Sequence, residues 1–173
     1  MIDLREFARL LGYPAGKPLE GEVLARAEEA IEWYRANGKP RAYVRVEGNE
    51  VLAAFTAGFE VEDEVARLWE SDRVDEAYFL DRLAASVVEQ MASILGRRES
   101  PGYAGFPIED QSALFSKIAP PSSSIQILPS GMLNPKNSLL AVYRLDENVE
   151  DVEAGSPCSR CGLRGCSFRR VAA

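Results

Sequence analysis

The chain contains no histidine. That absence excludes nucleophiles activated by histidine and zinc held by histidine. Any chemistry must run on carboxylates, tyrosine, lysine, arginine, cysteine or a bound cofactor. Cysteine is scarce as well: three in 173 residues, all near the C-terminal end. An odd count confined to one stretch argues against a disulfide framework. No apolar run approaches the roughly 20 residues that a membrane-spanning helix needs. Positive charge is in deficit, with 20 Lys and Arg against 27 Asp and Glu and a net charge of -7, which speaks against general nucleic-acid binding. The opening residues Met1-Ile2-Asp3-Leu4-Arg5-Glu6 are polar and helical in pattern. No signal peptide is visible there, so a cytoplasmic location is expected.

What remains is ordinary for a globular domain. Hydrophobic residues make up 46% and charged residues 27%. A chain of this length can bury about two-thirds of its unfolded surface. Asp3 can cap a first helix carrying Leu4, Phe7, Leu10 and Leu11 at helical spacing. A second helix is expected from Glu20 to Asn37, stopped by Gly38-Lys39-Pro40. The period then changes to two across 41–47, and Gly48-Asn49 suits a two-residue turn. The returning strand is expected from Val51 to Phe59. Helical patterns follow over Glu62 to Glu70 and Val74 to Leu95, the longer one with the stripe Leu80, Leu83, Val87, Met91 and Ile94. A Gly- and Pro-rich loop spans 100–107. Asp110 to Ile118 reads as a short helix, and 125–128 and 139–143 as strands. Neither Gly12 nor Gly16 forms a phosphate loop, and Ser130-Gly131 is no nucleophile elbow.

Composition divides the chain at its end. Residues 1–147 form the expected α+β domain, and 148–173 an acidic linker with a Cys- and Arg-rich tail. Residues 146–153 carry five acids, whereas 154–173 carry four arginines and no acid. Within that tail, Cys158, Cys161 and Cys166 are spaced C-x2-C-x4-C. The close pair can chelate one metal and the third thiolate can join it. Three ligands fall one short of a closed four-cysteine zinc site. They could also hold a four-iron cluster with one open iron. Arg160, Arg164, Arg169 and Arg170 favour thiolates nearby. Free or redox-active thiols are the alternative to zinc or an Fe–S cluster.

After the long helix comes Arg98-Glu99-Ser100-Pro101-Gly102-Tyr103. An arginine can fork onto a carboxylate, a glycine lets backbone approach a ligand, and a tyrosine offers a ring and a hydroxyl. On the long helix, Asp81, Ala85 and Glu89 follow one another at intervals of four, along one slowly drifting stripe.

This segment resembles the Arg-x-x-Pro-Gly-Tyr stretch of the reactivation domain of cobalamin-dependent methionine synthase. Ile125 to Pro135 is similar to that family's second characteristic stretch, Ala141-Val142 to its final strand, and Asp81-Arg82-Leu83-Ala84 to the start of its acid-bearing helix. The likeness covers roughly residues 75–145. It implies an α+β fold with an antiparallel sheet and packed helices. It also implies a site for S-adenosylmethionine built from Arg98, Ser100, Gly102 and Tyr103, with Asp81 or Glu89 for the amino group. The family's amino-binding acid aligns with Ala85 here, and a family tyrosine falls at Leu139 or Leu140.

The function implied is methyl transfer from S-adenosylmethionine to an oxidised cobalamin, with an electron from a reduced flavodoxin. Here the corrinoid must come from a separate protein, and an electron donor such as flavodoxin or ferredoxin is implied with it. The cysteine tail could relay that electron. Two alternatives stand beside this: a docking module for a corrinoid protein whose ligand pocket has decayed, and a small metal-binding protein built on the tail. If the tail holds a metal, anaerobically purified protein carries stoichiometric iron or zinc, and replacing Cys158, Cys161 and Cys166 with serine abolishes it. Metal-free wild type in elemental analysis would leave free thiols.

Overall fold

In a computed structural model, the chain is described over residues 2–145, apart from 15, 97 and 104. The cysteine motif and the tail boundary lie outside these residues. Five helices and five strands follow in the order α1 (Leu4–Leu10), α2 (Gly21–Asn37), β1 (Arg41–Glu47), β2 (Glu50–Thr56), α3 (Phe59–Glu70), α4 (Val74–Ser93), α5 (Gln111–Ile118), β3 (Gln126–Ile127), β4 (Leu133–Asn134) and β5 (Ser138–Arg144). The fold is α+β with an antiparallel sheet, as expected.

Local chemistry explains the first elements. Asp3 Oδ1 accepts the backbone N–H of Arg5 at 2.8 Å, which satisfies one of the open donors of α1. The β1–β2 hairpin closes through Gly48, at φ 59°, while Asn49 keeps a negative φ. This is the glycine-first pattern of two-residue turns. Glu47 then pairs with Glu50 and Arg41 with Thr56. β5 joins the other side of β2, from Glu50–Arg144 to Thr56–Ser138, so the sheet order is β1-β2-β5.

β2 is central and buried on both faces. Its Val51, Ala53 and Phe55 join Ala141 and Tyr143 of β5 in the core beneath α2, α3 and α4. Its Leu52 and Ala54, with Leu140 and Val142, face Leu114 and Ile118 of α5 and Ile125. The result is a helix–sheet–helix arrangement in which α4 is the hub, packing on α1, α2, α3, β2 and β5. Side-chain alternation in β2 and β5 separates the two cores.

Several elements differ from the sequence expectation. The returning strand ends at Thr56 rather than Phe59, because Gly58 at φ 102° turns the chain into α3. A Cβ there would meet Glu60 Oε2 at 2.6 Å and Lys39 O at 2.9 Å. Phe59 is thus the first residue of a helix. Further on, α4 ends at Ser93 and Ile94 is 79% exposed, so Ile94 is no part of the core stripe. Gly96, at φ 86°, follows with its N–H bonded to Ser93 O and helps turn the chain away from the helix axis. The ribbon β3–β4 was only half expected, as 125–128; its partner Leu133–Asn134 is new.

Candidate functional site: a buried ion pair between α4 and the following turn

Helix α4 places its Asp81–Ala85–Glu89 stripe inward, and all three residues are buried. The chain then reverses and returns along β5. Glu99 forms an antiparallel bridge with Val142, through N–H to O bonds of 2.9 and 2.8 Å. The bridge adds a one-residue fourth row to the sheet at its β5 edge. Arg98 is thereby carried back to Glu89.

Arg98 Nη2 donates to Glu89 Oε2 at 2.8 Å, and both side chains are only 10% exposed. Tyr103 Oη lies 3.5 Å from the same nitrogen. Burial opposes the charge on Arg98, but the Glu89 carboxylate outweighs it and raises the guanidinium pKa. The pair is therefore fully ionised at neutral pH on the arginine side. Tyr143 closes the base of the cluster. Burial pushes its hydroxyl up to about 12, so it stays protonated and donates to Ala92 O at 2.6 Å.

The turn that follows is tightly held. Tyr103 N–H bonds Ser100 O at 3.0 Å, Gly102 N–H bonds Phe106 O at 2.9 Å, and Phe106 N–H bonds Tyr103 O at 3.0 Å. Gly102 sits at φ 88°, a conformation that a side chain would strain. A shallow hollow of about 410 Å³ opens on this turn between Gly102, Tyr103 and Ile108. Among the described residues, two buried polar atoms here have no hydrogen-bond partner: Arg98 Nε and Ser100 Oγ. Buried donors are seldom left unpaired. Both would suit an anionic oxygen of a ligand.

Of the sequence-predicted site residues, the structure brings Glu89, Arg98, Ser100, Gly102 and Tyr103 into one neighbourhood. Asp81 belongs to another. Eight residues earlier on α4, it lies about 12 Å along the axis from Glu89. Its Oδ1 accepts Lys136 Nζ at 2.9 Å and Asn137 Nδ2 at 3.0 Å, and its Oδ2 accepts Arg82 Nη2 at 2.6 Å. Burial alone would raise the Asp81 pKa, but these three donors together hold it below the usual carboxylate value. This cluster clamps the 134–137 segment onto α4 at the start of β5. The sequence patterns do not single out Tyr143 or the Lys136–Asn137 pair as site residues. Alternation along β5 from the core residue Ala141 would have pointed Tyr143 at the helices. Among the described residues, no group of His, Cys, Asp or Glu is placed to hold a metal, and no helix is long and apolar enough to cross a membrane.

Comparison with known proteins separates sequence from fold. No protein-family model matches the chain, and no curated protein does. Among solved structures, the chain is similar to the crystal structure of the MetH reactivation domain bound to AdoHcy, with a TM-score of 0.61 at 13% identity. The similarity covers 85% of this chain and 75% of that one. The α+β architecture is therefore shared with that domain, at an identity that carries the fold alone.

The Asp81 clamp generates a stability prediction with a defined sign. A carboxylate with a lowered folded-state pKa contributes stability above its ordinary value of about 3.9 and loses it as pH falls through the folded value. Asp81→Asn should cost on the order of 1–3 kcal/mol at pH 7 by stranding Lys136 and Arg82. In urea titrations, the gap between variant and wild type should close below about pH 4. A gap that stays constant down to pH 2 would contradict the assignment.

Proposed function

We propose that the chain binds S-adenosylmethionine through Arg98 and the turn behind it, and serves the reductive methylation of a corrinoid held by a separate protein. The observation that carries this reading is the Arg98 side chain, largely shielded, paired with Glu89 on one side and, among the described residues, left with an unpartnered Nε on the other. Its surroundings are a glycine-bearing turn, a second unpartnered donor at Ser100, and a fold shared with a domain solved with AdoHcy bound.

The residues present fit the amino-acid end of such a ligand. Arg98 Nε–H and the Ser100 hydroxyl can donate to its carboxylate, and Glu89 can accept from its amino group. A shallow, open hollow lies on the neighbouring turn, lined by Gly102, Tyr103 and Ile108 and not by Arg98, Ser100 or Glu89. The partner's cob(II)alamin would take one electron from a donor such as a flavodoxin or ferredoxin, and the methyl group would then pass from the sulfonium to the reduced cobalt, releasing S-adenosylhomocysteine. In this reading the domain needs no nucleophile and no acid–base pair of its own. It fixes the ligand in place, and fixing reactants near one another can lower a barrier by about 7–11 kcal/mol.

One observation favours a second reading. Glu89 and Arg98 already satisfy each other's charge, and the alanine at position 85 leaves the stripe without a carboxylate between Asp81 and Glu89. In that reading the chain docks on the corrinoid protein without a ligand of its own. Calorimetric titration separates the two. S-adenosylmethionine should give saturable heat with wild type. Charge-assisted hydrogen bonds are worth about 1.5–3 kcal/mol, so Arg98→Lys, which keeps the charge beside Glu89 but loses the fork, should weaken binding by roughly 10- to 100-fold. No heat at millimolar ligand, with a corrinoid protein still captured, would select the docking reading.

A further inference from the structure

We propose that β1 is a self-association edge, along which two copies of this chain pair antiparallel and join their sheets into one of six strands. The inference is independent of the ligand site, which lies beyond the opposite edge of the sheet at β5.

Among the described residues, β1 is an edge strand bonded to β2 alone. The two-residue turn makes Glu47 and Glu50 a hydrogen-bonded pair, so the ladder alternates from there. The N–H and C=O groups of Ala42, Val44 and Val46 therefore point away from β2. No other backbone hydrogen bond uses them among the described residues. The same three residues form the helix-side face of the strand, and their side chains are apolar. Helices cover the corresponding face of β2, but not that of β1. Val44 is 56% and Val46 62% exposed, and Ala42 is exposed too. A free edge with an apolar row is what monomeric sheet proteins usually blunt with charge, proline or a bulge. Here the charged residues, Arg41, Arg45 and Glu47, all lie on the other face.

The sequence of the strand selects a second copy as its occupant, because Arg41-Ala42-Tyr43-Val44-Arg45-Val46-Glu47 is complementary to its own reverse. Centred on Val44, antiparallel pairing sets Val44 against Val44 and Ala42 against Val46 as hydrogen-bonded pairs, using every outward backbone group of the three. On the other face, Tyr43 of one copy comes opposite Arg45 of the other, whose guanidinium its own chain holds through Glu47 at 3.2 Å and Lys117 O at 2.9 Å. Arg41, which holds Glu60 at 3.1 Å within its own chain, comes opposite Glu47 of the other copy. No like charges face each other in this register.

Sedimentation of the full chain under reducing conditions, from about 1 to 200 µM, tests the proposal. A reversible monomer–dimer equilibrium is expected. Val44→Lys, at a position already exposed in the single chain, should weaken it at least about tenfold by setting two ammonium groups face to face. Val74→Lys, an exposed control on α4, should leave it unchanged. The register is read by mild oxidation in a background with Cys158, Cys161 and Cys166 changed to serine. Val44→Cys should cross-link to a covalent dimer, since hydrogen-bonded partners have Cα atoms about 5.5 Å apart. Val46→Cys, facing Ala42, should not. A monomer at every concentration, a dimer indifferent to Val44→Lys, or cross-linking at Val46 in place of Val44 would overturn the proposal.

Discussion

The ion pair between Glu89 and Arg98 sets the terms for the part of this structure around the candidate site. Moving two charges out of water costs several kcal/mol for each, and their attraction returns that cost only with good geometry. The pair is thus weak evidence for stability. It is strong evidence for placement, because a chain path that separated the two would leave an uncompensated charge in the core. Arg98 can reach Glu89 only if the chain turns back directly after α4. The Glu99–Val142 bridge then fixes that return strand to β5. The turn at 100–106 is built on the same anchor.

The rest of the architecture holds α4 still. Among the described residues it touches the other three helices on its side of the sheet as well as β2 and β5. Its N-terminal half is pinned through Asp81 to Lys136 and Asn137, just before β5, and its C-terminal end through Tyr143 to Ala92 O. Helix and strand run side by side with a polar tie at each end. A carboxylate projecting from such a helix is pre-positioned, so a ligand recognised there would pay little to order the site. That property suits a protein whose work is presentation rather than acid–base chemistry, and it fits a chain that has no histidine.

Much of the fold was legible in the sequence because it is locally encoded. The stripe of α4, the cap at Asp3 and the glycine-first hairpin turn each follow from a period or a single residue type. The inward face of Asp81, Ala85 and Glu89 was also legible, from their spacing of four. What was not legible is which partner each acid finds. Glu89 and Asp81 look alike in sequence, yet one meets Arg98 and the other Lys136, because long-range packing decides it. The expected strand overran through Phe59 because apolar residues continue past Gly58, whose steric role appears only when Lys39 and Glu60 are seen beside it. Strands of two residues, such as β4, carry too little pattern to be read.

The central claim is that Arg98 and the turn behind it form a ligand site. The most direct measurement is a nitrogen–proton NMR titration of the full chain with S-adenosylhomocysteine, following the Arg98 Nε–H and the amides of Ser100, Gly102 and Tyr103. Saturable shifts concentrated at these four are expected, with the Arg98 Nε–H moving furthest because it gains a partner. Absence of saturable shifts would contradict the account. So would shifts centred elsewhere, as on the charged groove lined by Trp33, Arg67 and Arg73 between α2, α3 and α4.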